Sequence, residues 1–147
     1  TGALLAGEMS GHICFADNYY GFDDAIFAAC RILQIVSQSK QKVSEMLADL
    51  PKTAYTPEIR IDCPDDKKFE IVLELTEFFR DQYEVIDIDG VRINFDDGWA
   101  LIRASNTQPV LVLRFEAVTN IRLKELVKII KTQIDKYKPL IHFDYKA

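Results

Sequence analysis

Histidine occurs only twice, at His12 and His142, and cysteine three times, at Cys14, Cys30 and Cys63, in a chain of 147 residues. The cysteines are odd in number, widely spaced and without a C-x-x-C arrangement, so neither a zinc site nor a disulfide framework is expected and all three read as core thiols. His12 and Cys14 are two positions apart on an apparent strand, which is poor geometry for a nucleophile and its base and argues against a Cys/His hydrolase. A basic surplus is also missing: the net charge is -5, and the lysines from Lys124 to Lys138 are interleaved with apolar residues. A nucleic-acid partner is therefore not expected. No apolar run approaches the roughly 20 residues of a membrane helix, and no basic-then-apolar leader opens the chain. A cytoplasmic protein without a membrane partner is expected. An initiator Met is lacking as well, because the chain begins Thr1-Gly2-Ala3-Leu4-Leu5, and it is expected to be a piece of something longer.

What is present suffices for a packed core, with 48% hydrophobic and 28% charged residues. Ala3 to Ala6 and Ile13 to Phe15 read as strands flanking the Gly-bounded loop Gly7-Glu8-Met9-Ser10-Gly11-His12. Asp23-Asp24 then offers a cap for a helix to about Ser37, in which Ile26, Ala29, Cys30, Leu33 and Val36 repeat at helical spacing. Ser44 suits the cap of a shorter helix with Met46, Leu47 and Leu50 inward, ended by Pro51. Residues 51–57 lack periodicity and carry a proline at each end, which predicts a linker between one unit at 1–50 and another at 58–147.

In the second unit, Glu58 to Cys63 alternates with the period of a half-buried strand. Pro64 ends it, and Asp65 and Asp66 suit the first turn of a helix presenting Phe69, Val72, Leu73, Phe79 and Tyr83 inward. Three strand-like runs follow, Val85 to Ile88, Val91 to Phe95 and Trp99 to Arg103, punctuated by the tight-turn dipeptides Asp89-Gly90 and Asp97-Gly98. After Val110 to Phe115, Thr119 caps a final helix with Leu123, Leu126, Val127, Ile130, Ile134 and Tyr137 inward. An α+β fold is predicted, with the C-terminal unit ordered β-α-β-β-β-α and its antiparallel sheet covered by two helices.

Two loops carry the candidate chemistry. Arg103-Ala104-Ser105-Asn106-Thr107-Gln108-Pro109 places a guanidinium, two hydroxyls and an amide at a strand end, the donors that an anion such as phosphate needs at once. It is equally a polar turn, since Asn, Ser and Pro favour turns for local reasons. In the first loop Glu8 lies between glycines that let a ligand approach the backbone, and a carboxylate accepts from two adjacent hydroxyls, with Ser10 and His12 to assist. A capping carboxylate and a structural histidine are the plainer alternatives.

Taken together, Leu4-Leu5-Ala6-Gly7-Glu8-Met9-Ser10-Gly11-His12, Tyr20-Gly21-Phe22-Asp23-Asp24 and Arg103 through Ala117 resemble the α-D-phosphohexomutase superfamily over essentially the whole chain. The Met9 position and the Ser-Asn-Thr run look like its phosphomannomutase/phosphoglucomutase branch. The resemblance implies the end of an α/β third domain followed by the whole fourth domain of a four-domain enzyme. That enzyme moves a phosphoryl group between the 1- and 6-positions of a hexose through glucose or mannose 1,6-bisphosphate. By the resemblance Glu8 and Ser10 fall on sugar-hydroxyl positions, Arg103, Ser105, Asn106 and Thr107 on phosphate positions, and His12 on a histidine cast in binding and proton transfer. The phosphoserine and the Mg2+ ligands belong to the absent N-terminal domains, which are this piece's implied partners along with a hexose phosphate substrate. No metal site is expected in this chain, and the piece alone is expected to be inactive. A phosphoglucosamine mutase, a phosphosugar-binding module without catalysis, and a structural domain whose loops are mere turns are the alternatives.

Overall fold

The computed structural model describes residues 2–8, 10–138 and 140–145. Met9, on which part of the branch resemblance rests, lies outside the described residues. The chain divides into two compact units, 1–50 and 51–147.

In the first unit β1 (Leu5–Gly7) and β2 (Ile13–Phe15) form an antiparallel hairpin, with Leu5 opposite Phe15 and Gly7 opposite Ile13. Helix α1 spans Ala25–Gln38 and contains neither Gly nor Pro. Its cap is Asp24 alone, whose carboxylate accepts the Ile26 and Phe27 N–H groups at 2.9 Å each. Tyr19 stacks on Phe27 with ring centroids 3.7 Å apart, and Phe15 meets the same ring edge-on, so aromatic contacts join the hairpin to the helix.

The inward face expected for α1 is not buried. Ile26 is 80% and Leu33 66% exposed, Cys30 and Ala29 are also exposed, and Ala28 is the helix's buried residue. Fifty residues with one helix and one hairpin offer too little opposing surface to cover an amphipathic stripe. The second expected helix is likewise only a 3-10 turn at Val43–Glu45, after Lys42 rather than Ser44, with Leu47 and Leu50 exposed. A 3-10 turn of three residues is what remains when no packed face extends it.

The second unit has a single antiparallel sheet built on β8 (Val110–Ala117). One edge of β8 pairs with β7 (Gly98–Ala104), followed outward by β6 (Val91–Phe95) and β5 (Glu84–Ile86). Its other edge pairs first with β3 (Ala54–Tyr55) and then with β4 (Ile59–Asp62). Between these two short strands Thr56 is fully buried, its N–H donating to Phe115 O while its Oγ1 accepts from Phe115 N–H. Pro57 has no N–H to lose from the ladder there. Part of the aperiodic stretch 51–57 is thus sheet rather than free linker, and a strand of two residues is too short to show a period.

Helices α2 (Lys68–Arg80) and α3 (Asn120–Ile134) pack on one face of this sheet. Four strands, not three, lie between them. The face of α3 is as expected: Leu123, Leu126, Val127, Ile130 and Ile134 are buried, and Thr119 Oγ1 accepts the Arg122 N–H. That of α2 is rotated, so Ile71, Val72, Leu75 and Phe79 are buried whereas Phe69 is 57% and Leu73 62% exposed. Glu70, Glu74 and Glu77 form the exposed polar face of α2, and Ile71 and Leu75, left out of the expected stripe, belong to the buried one. Cys63 joins this core, and burial pushes its thiol up; Cys14 is half-buried and Cys30 exposed, so only one of the three is a core thiol.

Glycine is required at two turns of the sheet. Gly90 has φ +80°, and a Cβ there would lie 2.4 Å from Ile102 O and 2.8 Å from Arg103 Cα. At Gly98 a Cβ would meet Glu116 O at 2.4 Å and Leu126 Cδ1 at 2.8 Å. Between β6 and β7, Asp97 also receives Arg122 Nε at 2.7 Å, tying that turn to the start of α3.

Candidate functional site

In the first unit the loop between β1 and β2 closes on itself. Glu8 N–H donates to His12 O at 2.9 Å, and Gly11 N–H donates to Glu8 O at 3.0 Å. Gly11 adopts φ +91°, which a side chain would resist. Ser10 Oγ donates to Glu8 Oε2 at 3.0 Å, so the two candidate sugar-binding groups already share one hydrogen bond. Glu8, His12, Cys14 and Asp23 line a concavity of about 410 Å3 together with the Ala6–Gly7 backbone.

His12 stands beside Asp23, with Nδ1 2.5 Å from Oδ2, while Asp23 Oδ1 accepts the Ile13 N–H at 3.3 Å. That hydrogen bond, reinforced by the carboxylate's charge, raises the His12 pKa above its ordinary value. Protonated, the ring donates from both nitrogens: Nδ1 serves Asp23, and Nε2 is left to face a ligand. Asp23 is therefore not part of the helix cap. The adjacent Asp24 does that work, and the Tyr19 hydroxyl donating to it at 2.6 Å, with the helix N–H groups, keeps its carboxyl below the usual range. The sequence contained the signal for Asp23 only as the first of two adjacent acids, one more than a cap needs.

In the second unit the candidate phosphate residues share the β7–β8 connection. Arg103 is exposed near the end of β7, and Asn106 and Thr107 are exposed at the loop tip. Ser105 Oγ accepts the Thr107 and Gln108 N–H groups at 3.4 and 3.2 Å, which draws the chain into a compact turn. The base of the turn is tied by Ser105 N–H to Val110 O at 3.0 Å and by Cys63 N–H to Pro109 O at 2.9 Å. Arg60 Nη1 reaches Gln108 Oε1 from β4. The carbonyls of Ser105 and Gln108 both accept from Lys68 Nζ.

Arg103 is held from the side by Asp89, whose Oδ2 is 3.1 Å from Nη1. Asp87 pairs instead with Arg80 at 2.5 Å. Asp89 and Lys68 were not singled out by their spacing, since each meets its loop partner only through the fold, 14 residues away for Asp89 and 37 and 40 away for Lys68.

Residues 58–133 match the family model for the phosphoglucomutase/phosphomannomutase C-terminal domain, and residues 1–54 match that for the family's alpha/beta/alpha domain III. The chain belongs to the phosphoglucomutase/phosphomannomutase family. It is 44% identical to a phosphomannomutase/phosphoglucomutase of Pseudomonas putida over 99% of its own length and 32% of that protein's. A phosphoglucomutase of Neisseria gonorrhoeae is also 44% identical, over 96% of this chain and 31% of the relative. A solved family protein from Burkholderia thailandensis superposes with a TM-score of 0.80 at 37% identity, covering 99% of this chain and 31% of that one. The chain thus spans about a third of the length of these relatives. The stretch matching domain III covers the first unit and the stretch matching the C-terminal domain lies within the second.

Proposed function

We propose that this chain is part of a cytoplasmic phosphohexomutase that interconverts hexose 1-phosphate and hexose 6-phosphate through a hexose 1,6-bisphosphate. What carries the reading is the loop Arg103 to Pro109 in a chain of this family: its Ser105 and Gln108 carbonyls are turned onto the buried Lys68, while the guanidinium, amide and hydroxyl of Arg103, Asn106 and Thr107 are exposed. Such a loop holds the substrate's phosphate, with Arg103 supplying a forked pair of donors and Ser105, Asn106 and Thr107 supplying single ones.

Glu8 and Ser10 hold the sugar. Their mutual hydrogen bond opens to two neighbouring ring hydroxyls, with the carboxylate as acceptor and the serine as donor or acceptor. His12, whose pKa is raised by the hydrogen bond to Asp23, offers a proton donor within the same concavity. Phosphoryl transfer needs an in-line acceptor and neutralisation of the transferring oxygens. The groups assigned to the substrate, Arg103, Ser105, Asn106 and Thr107, offer a guanidinium, hydroxyls and an amide rather than the carboxylates that suit Mg2+. The ion of the family's reaction would be held by residues of the remaining domains, which are the partners this chain requires.

The 147-residue chain is expected to show no mutase turnover by itself, and measurable turnover would refute its role as a binding part. In the whole enzyme, Arg103→Ala is expected to raise KM for hexose 1-phosphate by about tenfold or more, the effect of losing a charged hydrogen-bond pair. Unchanged kinetics would sink the assignment of the loop. A probable phosphoglucosamine mutase of Methanopyrus kandleri is 32% identical over 85% of this chain, below the 44% of the two relatives above, which favours hexose phosphates without an amino group.

A further inference from the structure

Lys68 is the first residue of α2, and its side chain is 2% exposed. The ammonium donates to Ser105 O at 2.5 Å and Gln108 O at 3.1 Å and lies 2.6 Å from Asp65 Oδ1. Two hydrogen bonds and one close ion pair thus surround the buried ammonium. Burying an ammonium is costly unless it is paired, and its one counter-charge, Asp65, is 75% exposed. The other two acceptors are neutral carbonyls of the phosphate loop, at sequence separations of 37 and 40. As a stabilising ion pair this arrangement is poor; as a clamp on residues 105–108 it is complete.

The clamp has a directional consequence. In a trans peptide the C=O and the following N–H point opposite ways. Drawing Ser105 O inward onto Lys68 therefore turns the Asn106 N–H outward, toward the exposed side that carries the Asn106 and Thr107 side chains. Without the ammonium the Ser105 carbonyl would be left without this partner, and rotation of that peptide would withdraw the Asn106 N–H from the anion's side. The same charge lies behind the loop, where it adds to the field of Arg103 on a bound dianion.

Building on the reading of residues 103–109 as a phosphate loop, we propose that Lys68 is its positioning residue, fixing the Ser105–Asn106 peptide with its N–H toward the phosphate.

The test is an amide-resolved NMR titration of the 147-residue chain with inorganic phosphate at constant ionic strength, comparing wild type with Lys68→Met. The amides of β6, β7 and β8 serve as the measure of an intact sheet. Saturable shifts at Asn106 and Thr107 in the wild type, weakened by about tenfold or more in Lys68→Met with the sheet amides in place, are the expected result. Wild-type affinity in a folded Lys68→Met overturns this proposal and leaves the loop assignment standing. No saturable shift in the wild type overturns both. Should Lys68→Met lose the sheet, the titration is read on Lys68→Arg, which keeps the charge but replaces the convergent ammonium by a planar fork. Weakened binding on an intact sheet then supports the positioning role, and wild-type affinity overturns it.

Discussion

Asp89 and Arg103 are joined side by side across the β5–β6 turn, Oδ2 to Nη1 at 3.1 Å, and Gly90 is what lets that turn lie against the arginine's backbone. An anion approaching the loop meets a guanidinium already occupied by a carboxylate. Exposed pairs of this kind are worth about 0–1 kcal/mol, so the contact is easily exchanged for a phosphate.

Asp89→Asn is accordingly expected to tighten inorganic phosphate binding by up to about fivefold, the equivalent of that 1 kcal/mol. The affinity of the folded chain, followed through the Arg103 and Asn106 resonances, checks this. Weaker binding would mean that the carboxylate orients Arg103 rather than competing with its ligand.

The His12–Asp23 contact carries a pH signature. Because the folded pKa of His12 is raised, the contact's contribution to stability is fully present below the unfolded value of about 6.5 and is lost as pH rises through the folded value. An NMR titration of the His12 ring is expected to give a midpoint above about 6.5, and Asp23→Asn should bring it back toward that value. An unchanged midpoint in Asp23→Asn would locate the cause elsewhere.

The rotated face of α2 is open to a direct comparison. Leu75→Ala, at a fully buried position, is expected to cost about 2–5 kcal/mol, whereas Leu73→Ala on the exposed side should stay within about 0.5 kcal/mol. Trp99 is the chain's single tryptophan and lies on β7, so its fluorescence during urea unfolding follows the second unit alone. Equal losses at the two positions would be inconsistent with the packing described.

The candidate loop of the second unit was legible because it lies among elements with a strong local signal. Glu58 to Cys63 alternates, α3 repeats cleanly from Leu123 to Ile134, and Asp89-Gly90 and the Ser105–Pro109 run have the chemistry of turns. The motifs Gly7 to His12 and Arg103 to Pro109 then pointed to the family without any knowledge of the fold.

The sequence by itself determined the three long helices, the strands from Ile59 onward, where the two polar loops fall, and which donors and acceptors they offer, because these follow from local period and turn chemistry. Only the tertiary structure decided what those groups are bonded to. Asp23 rather than a helix end for His12, Asp89 for Arg103, and a buried Lys68 beneath Ser105 and Gln108 are contacts between residues distant in the chain, set by strand pairing and helix docking. The same docking left Phe69 and Leu73 exposed, because they lie toward one margin of an apolar stripe wider than the contact with the sheet, which buries Ile71 and Leu75 instead.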